Sequence, residues 1–212
     1  MTYTSIHMRT FMQSKISRRK TLAGAVALVV APGLVSPLSA MSKAEATDLV
    51  DRLVADIHKV VTSGESDAKI FVEFERIFRT YADVKTIARY GLGVEARSAS
   101  KAQMRAFTKE FQGYIARKYG KQFKDFIGGE IRVKSTRKVK SFFEVKATAH
   151  LRGKSPVEIA FLVSDKSGKS LFFNLFVEGV NMLLAERTEI GAMLDRRRGN
   201  LDKMIDDLRD AG

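Results

Sequence analysis

The chain has 212 residues, with 37 lysines and arginines against 24 acidic side chains, a formal net charge of +13, no cysteine and no tryptophan. Without cysteine there can be no disulfide framework, no thiolate nucleophile and no thiolate metal site, so packing alone must hold the fold. Of the three histidines, His7 belongs to the N-terminal leader read below, while His58 and His150 would make a metal site only if the fold happened to bring them together.

Residues 1–20 carry five basic residues, Arg9, Lys15, Arg18, Arg19 and Lys20, and no acids. An apolar run from Leu22 to Ala31 follows, then Pro32-Gly33 and a small-residue end at Ser39-Ala40. That order is the charged, apolar and cleavage-site sequence of a secretory signal, and the run falls short of the roughly 20 apolar residues a membrane span needs. Ser17-Arg18-Arg19 resembles part of a twin-arginine signal, with Thr21 where phenylalanine is usual. Ser42-x-x-Glu45 forms a capping box that cleavage after Ala46 would destroy, so Ala40 is the preferred cut. The domain is then 41–212, one core's worth of chain. It keeps 32 basic and 24 acidic residues, a net of +8. Export and positive charge favour an anionic membrane surface or an acidic partner over nucleic acid.

Leu49, Val50, Leu53, Val54, Ile57, Val60 and Val61 form one stripe of a first helix. A second runs from about Lys69 to Tyr81, with Phe71, Phe74 and Phe78 at helical spacing. Asp83 caps a short third helix with Val84, Ile87 and Ala88 that stops near Gly91 or Gly93. Ser100-x-x-Gln103 is a second capping box, followed by Met104, Phe107, Phe111, Tyr114 and Ile115 on one face.

After Gly128-Gly129 the period changes from helical to alternating. Ile131–Lys140 reads as a first strand. Phe143, Val145, Ala147 and Ala149 make one face of a second, Val157, Ile159, Phe161 and Val163 of a third, and Leu171, Phe173, Leu175 and Val177 of a fourth. The last strand is also apolar on its other face, through Phe172 and Phe176, which places it between two layers. Gly153-Lys154-Ser155 and Asp165-Lys166-Ser167-Gly168 fit hairpin connections. Gly179 permits a positive-φ turn that would lead the chain away from the sheet. Two short helices close the chain, one over about Thr188–Arg196 and one capped by Asn200 with Leu201, Met204, Ile205 and Leu208. Helices first and a meander after predict an α+β domain, a four-stranded antiparallel sheet with its apolar face under helices.

Catalysis has little to stand on: there is no G-x-S-x-G, H-E-x-x-H, Walker or dinucleotide-binding glycine pattern. Asp206 and Asp207 are adjacent on a helix and diverge, unlike an acid/base pair that converges on a substrate. Basic residues gather at Arg132, Lys134, Arg137, Lys138 and Lys140 and at Arg196-Arg197-Arg198, either as a solvated face or as a docking surface.

The stretch from Leu171 to Arg187 resembles the C-terminal signature of the MlaC (toluene-tolerance) family of periplasmic phospholipid-binding proteins, in which a strand runs into Asp-Val-x-Val-Glu-Gly-Val-Ser and then an Arg-x-x-Phe helix. The counterparts are Asn174, Leu175, Val177, Glu178, Gly179, Val180, Asn181, Arg187 and Ile190, with Asn174 in place of an acid, Asn181 of a serine and Ile190 of an aromatic. The resemblance extends through Ile87-Ala88-Arg89-Tyr90-Gly91-Leu92-Gly93, the Ser100 helix start, the Phe107/Phe111 helix and the meander. Val94-Glu95-Ala96-Arg97 lacks the tryptophan usual after the Leu-Gly pair.

The resemblance implies a cone-like sheet wrapped by helices around an apolar cavity for acyl chains, with no cofactor and no enzymatic activity. Ile87, Leu92, Phe107, Phe111, Val145, Ala147, Phe161, Val163, Leu175 and Val177 are the candidate lipid contacts. Alternation cannot distinguish a lined cavity from a filled core, so an exported interaction module with a filled core is the alternative. A carrier of another amphipathic lipid, such as a hopanoid, is a third reading. The implied partners are phospholipid, an inner-membrane ABC lipid transporter complex and an outer-membrane lipoprotein complex. Arg187 is expected to pair with Glu178 or a backbone carbonyl.

Overall fold

The computed structural model of the chain describes residues 40–122 and 129–212; the export-signal reading, Ala40 apart, lies outside them. Helix α1 (Lys43–Val61) begins on the expected capping box: the Ser42 hydroxyl accepts from the Glu45 amide at 3.2 Å and the Glu45 carboxylate accepts from the Ser42 amide at 2.6 Å. The Met41 amide donates to Asp165 at 2.8 Å, which fastens the start of this region to a loop of the sheet.

Helix α2 (Asp67–Tyr81) runs to Ala82, and α3 (Val84–Leu92) is capped by Asp83, whose side chain accepts from the Thr86 amide. Gly93, at φ 69°, ends α3 and opens a 3₁₀ turn over Gly93–Arg97. Helix α4 (Lys101–Gln122) starts on the second capping box, with both Ser100–Gln103 bonds formed.

Strands β1 (Glu130–Val139), β2 (Phe142–His150), β3 (Val157–Ser164) and β4 (Leu171–Val177) pair in sequence order as an antiparallel meander. Two details differ from the sequence reading. Glu178 and Gly179, at φ 49° and 76°, make a tight hairpin turn, so the chain returns as β5 (Val180–Asn181) instead of leaving the sheet at once. Register also shifts between β3 and β4: Phe161 faces Leu175 and Ile159 faces Val177, but Val163 faces Phe172. A bulge has absorbed one residue, so Phe172 takes the inward place that strict alternation assigned to Phe173. The Phe172 ring lies 6.0 Å from Phe161 and 6.3 Å from Phe78, whereas Phe173 sets its edge against Phe142 at 5.5 Å.

Helix α5 (Met182–Arg196) starts six residues before the expected Thr188, because Asn181 caps it directly, accepting from the Leu184 amide at 3.1 Å. Asn200 caps α6 (Leu201–Asp207) in the same way. Two apolar clusters result. In one, α1 and α2 pack on the inner face of β1–β3 through Val50, Leu53, Val145 and Val163; in the other, α3–α6 pack together through Phe107, Phe111, Ile190 and Met204. Phe172 packs against both.

Candidate functional site

The cavity of about 650 Å³ between these clusters is bounded by α1, α2, α3, α4, the strands β1, β3, β4 and β5, and the start of α5. Its size is within the range of about 300–1,000 Å³ typical of small-molecule sites. The walls are largely apolar: Leu53 and Ile57 from α1, Phe74 and Ile77 from α2, Ile115 from α4, and Ile159, Phe161, Phe172, Leu175 and Val177 from the sheet. Among the described residues, charged or amide-bearing groups in the wall reduce to Asn174 and Glu186, with the Tyr119 hydroxyl beside them, and no lysine or arginine lines it.

Four of the ten sequence candidates, Ile87, Phe161, Leu175 and Val177, line this space. The other six lie elsewhere. Val145, Ala147 and Val163 are packed in the sheet-side cluster, and Leu92, Phe107 and Phe111 in the helical cluster. The reason is geometric: α1 packs over β1 and β2 and fills the space over the inner face of β2, while Ile159 and Phe161 of β3 and Leu175 and Val177 of β4 border the cavity. On α4 the apolar stripe divides between clusters, with Phe107, Phe111 and Tyr114 turned to the helical core and Ile115, Ala116 and Tyr119 reaching the cavity.

The polar wall was not anticipated. Glu186 is only 3% exposed. One of its carboxylate oxygens, Oε1, accepts from Lys118 Nζ at 2.8 Å and from the Tyr119 hydroxyl. Lys118 also donates to Tyr114 at 2.9 Å and to Glu189. Burial, then the Glu186 charge, pushes the Tyr114 phenol far above its ordinary range; burial and the hydrogen bond to Glu186 do the same at Tyr119. For Lys118 burial works downward, but its bonds to Glu186 and Glu189 prevail and hold the ammonium above the usual lysine value. The bond from Lys118 keeps Glu189 below the usual carboxylate range. The sequence signal for this wall is faint: an acid set among Met182, Leu183, Leu184 and Ile190, ahead of the helix start that the sequence places near Thr188.

The polar departures in the signature segment have structural roles. Asn174 is buried, and its side-chain oxygen accepts from the Leu175 amide at 2.8 Å and from the Leu183 amide at 3.4 Å, tying β4 to α5. Asn181 is the α5 cap. Arg187 does not pair with Glu178: its guanidinium lies 5.2 Å from the Tyr90 ring centre, and the Glu178 carboxylate accepts from the Glu158 amide. The basic β1 strand is partly neutralised, since Arg132 pairs with Glu130 and Arg137 makes a two-pronged bond to Glu144.

The MlaC protein family matches residues 47–210. The chain belongs to the MlaC family. Among solved structures, this MlaC chain is similar to a phospholipid-binding protein from Ralstonia solanacearum, solved in complex with a phospholipid, with TM-score 0.66 and 17% sequence identity. The similarity covers 77% of this chain and 98% of that one, and at such low identity it establishes a shared fold. No curated protein sequence matches this MlaC chain. The fold anticipated for the family, an α+β meander with helices on its apolar face, is the fold observed, extended by the short β5.

Proposed function

We propose that this MlaC-family protein is a periplasmic carrier that encloses phospholipid acyl chains and moves them between the outer and inner membranes, without catalysing a reaction. The observation that carries this reading is the apolar cavity left between two well-packed clusters. Each methylene enclosed there contributes about 0.8 kcal/mol, so acyl chains are held against water with no chemical step. The phospholipid-bound relative of the same fold supports phospholipid as the cargo.

The rim is apolar too. Val180, in β5, lines the cavity and is 55% exposed. Such a rim suits handover to another apolar site, and the proposed donors and acceptors are an inner-membrane ABC lipid transporter complex and an outer-membrane lipoprotein complex. Release follows when such a partner offers the cargo a better apolar environment. In this reading residues 1–40 are a cleaved signal and 41–212 the working domain. Cleavage after Ala40 would turn the Met41 nitrogen, already 2.8 Å from Asp165, into a paired ammonium; sequencing the N-terminus of the exported protein checks the cut.

Solvent extraction of the purified protein followed by mass spectrometry tests the carrier reading: phospholipid is expected, and an empty protein that also takes up none from labelled vesicles would sink it. Leu175→Trp fills the cavity from its wall and is expected to abolish lipid recovery while the protein stays folded. Val145→Trp, at a site with no exposed surface in the packed cluster, forces overpacking, which costs about 1–3 kcal/mol or more, and is expected to lower stability instead. Equal unfolding by both variants would favour an interaction module with a filled core.

A further inference from the structure

The cavity has one feature that an acyl chain does not satisfy. Glu186 Oε2 is buried and has no hydrogen-bond partner among the described residues, although Oε1 of the same carboxylate takes two. An ion-paired carboxylate only accepts hydrogen bonds, and a buried acceptor left unmatched costs about 1–3 kcal/mol, more when charged. None of the neighbouring groups donates to it. The three Lys118 protons are directed at Tyr114, Glu186 Oε1 and Glu189, the single Tyr119 proton goes to Oε1, and the Tyr114 hydroxyl is shared between Glu186 and Glu189 without bonding Oε2. Glu186 lines the cavity, so a donor can reach it from that side.

We propose that Glu186, braced by Lys118 and Tyr119, is a subsite for a hydrogen-bond-donating group, a hydroxyl or an ammonium, on the lipid that the cavity encloses. This rests on the carrier reading and adds a polarity to it. The lipid is oriented with a donor against the α4–α5 wall, and an anionic end is kept away, because among the described residues no cationic side chain lines the space to receive it. A hydroxyl and an ammonium share this chemistry and differ in charge. The Lys118–Glu186 pair is neutral as a unit, and Glu189, 49% exposed, adds a further negative charge nearby.

Four probes with one alkyl chain separate the possibilities: dodecanol, dodecylamine, dodecyl methyl ether and dodecanoate, each displacing a fluorescent apolar probe from the delipidated protein. Dodecanol and dodecylamine are expected to bind about tenfold tighter than the ether, which accepts but does not donate, and dodecanoate more weakly than the ether. If dodecanol alone shows the gain the cargo group is a hydroxyl, and if dodecylamine alone shows it the group is an ammonium. In Glu186→Leu the gap between the donors and the ether is expected to close. The ether binding as tightly as both donors would overturn the subsite, as it would if water already satisfied Oε2; a full gap surviving in a folded Glu186→Leu protein would do the same. Should that variant not fold, the wild-type series decides by itself. Failure of every probe and of vesicle lipid to bind removes the carrier reading as well, whereas binding without donor preference removes only the subsite.

Discussion

At the scale of single residues, two glycines with positive φ have different reasons to be there. Gly179 at φ 76° stands in open space, so alanine there costs only the left-handed backbone, about 1 kcal/mol. Gly93 combines φ 69° with ψ −132°, a conformation that side-chain-bearing residues avoid, and an added Cβ would lie 3.2 Å from Arg187 Nε. Gly93→Ala is therefore expected to lose about 1–3 kcal/mol, to be the more damaging of the two, and to displace Arg187 from Tyr90; urea unfolding of both variants checks the order. Lys118 is a second residue-scale test. Removing it as Lys118→Met leaves the Glu186 carboxylate buried without its cation, and a loss of about 3 kcal/mol is expected. The linkage signs follow from the shifts. The raised Lys118 contributes fully below the unfolded lysine value of about 10.4 and loses its contribution as pH rises through the higher folded value. The lowered Glu189 contributes above about 4.3 and loses its contribution as pH falls through its folded value. The stability gap between wild type and Lys118→Met should thus be flat around neutral pH and narrow toward both extremes, as thermal melts across pH would show.

At the scale of elements, what could be read from sequence was whatever is local. Both capping boxes, the Asp83 and Asn200 caps, the Gly93 stop and the parity of β2 and β3 are decided by residues within a few positions of one another, and all appear in the fold. What escaped was non-local or depended on one extra residue. The bulge that exchanges Phe172 for Phe173 leaves no mark on an alternating pattern in which both positions are phenylalanine. The division of the α4 stripe between two clusters depends on α5 and α6, more than 60 residues away in sequence. For the candidate site, the alternation separates the inner sheet face from the outer but could not show that α1 packs over β1 and β2 while Phe161, Leu175 and Val177 border the cavity. The late start assigned to α5 has a direct test. Asn181→Ala removes the cap and is expected to cost about 1 kcal/mol, with Asn181→Ser restoring most of it. Fraying there reaches Leu183 and Glu186, so the alanine variant should also show faster amide exchange along the cavity wall.

At the scale of the whole molecule, α4 contributes to both clusters and Phe172 packs against both. The α2–α3 junction is joined to it as well: the Asp83 amide donates to the Phe172 carbonyl at 2.8 Å, and Ala82 bridges to the same residue. Phe172→Ala is expected to loosen that joint, lowering stability by about 3 kcal/mol or more and speeding lipid exchange with vesicles, whereas truncation of Phe107, inside one cluster, should lower stability without speeding exchange.

The basic first strand has a consequence of another kind. β1 lies at the end of the sheet order, with a neighbour on one side only, and its register slips between Val133 and Ser135. A free strand edge is a template on which a second copy can add, and a bulge combined with positive side chains such as Arg132, Lys134 and Arg137 obstructs that addition. The charge that reads in sequence as a docking surface is therefore also expected to keep copies of the protein apart. Replacing Arg132 and Lys134 together by valine should leave the fold intact yet produce concentration-dependent aggregates by light scattering, at concentrations where the parent protein remains monodisperse.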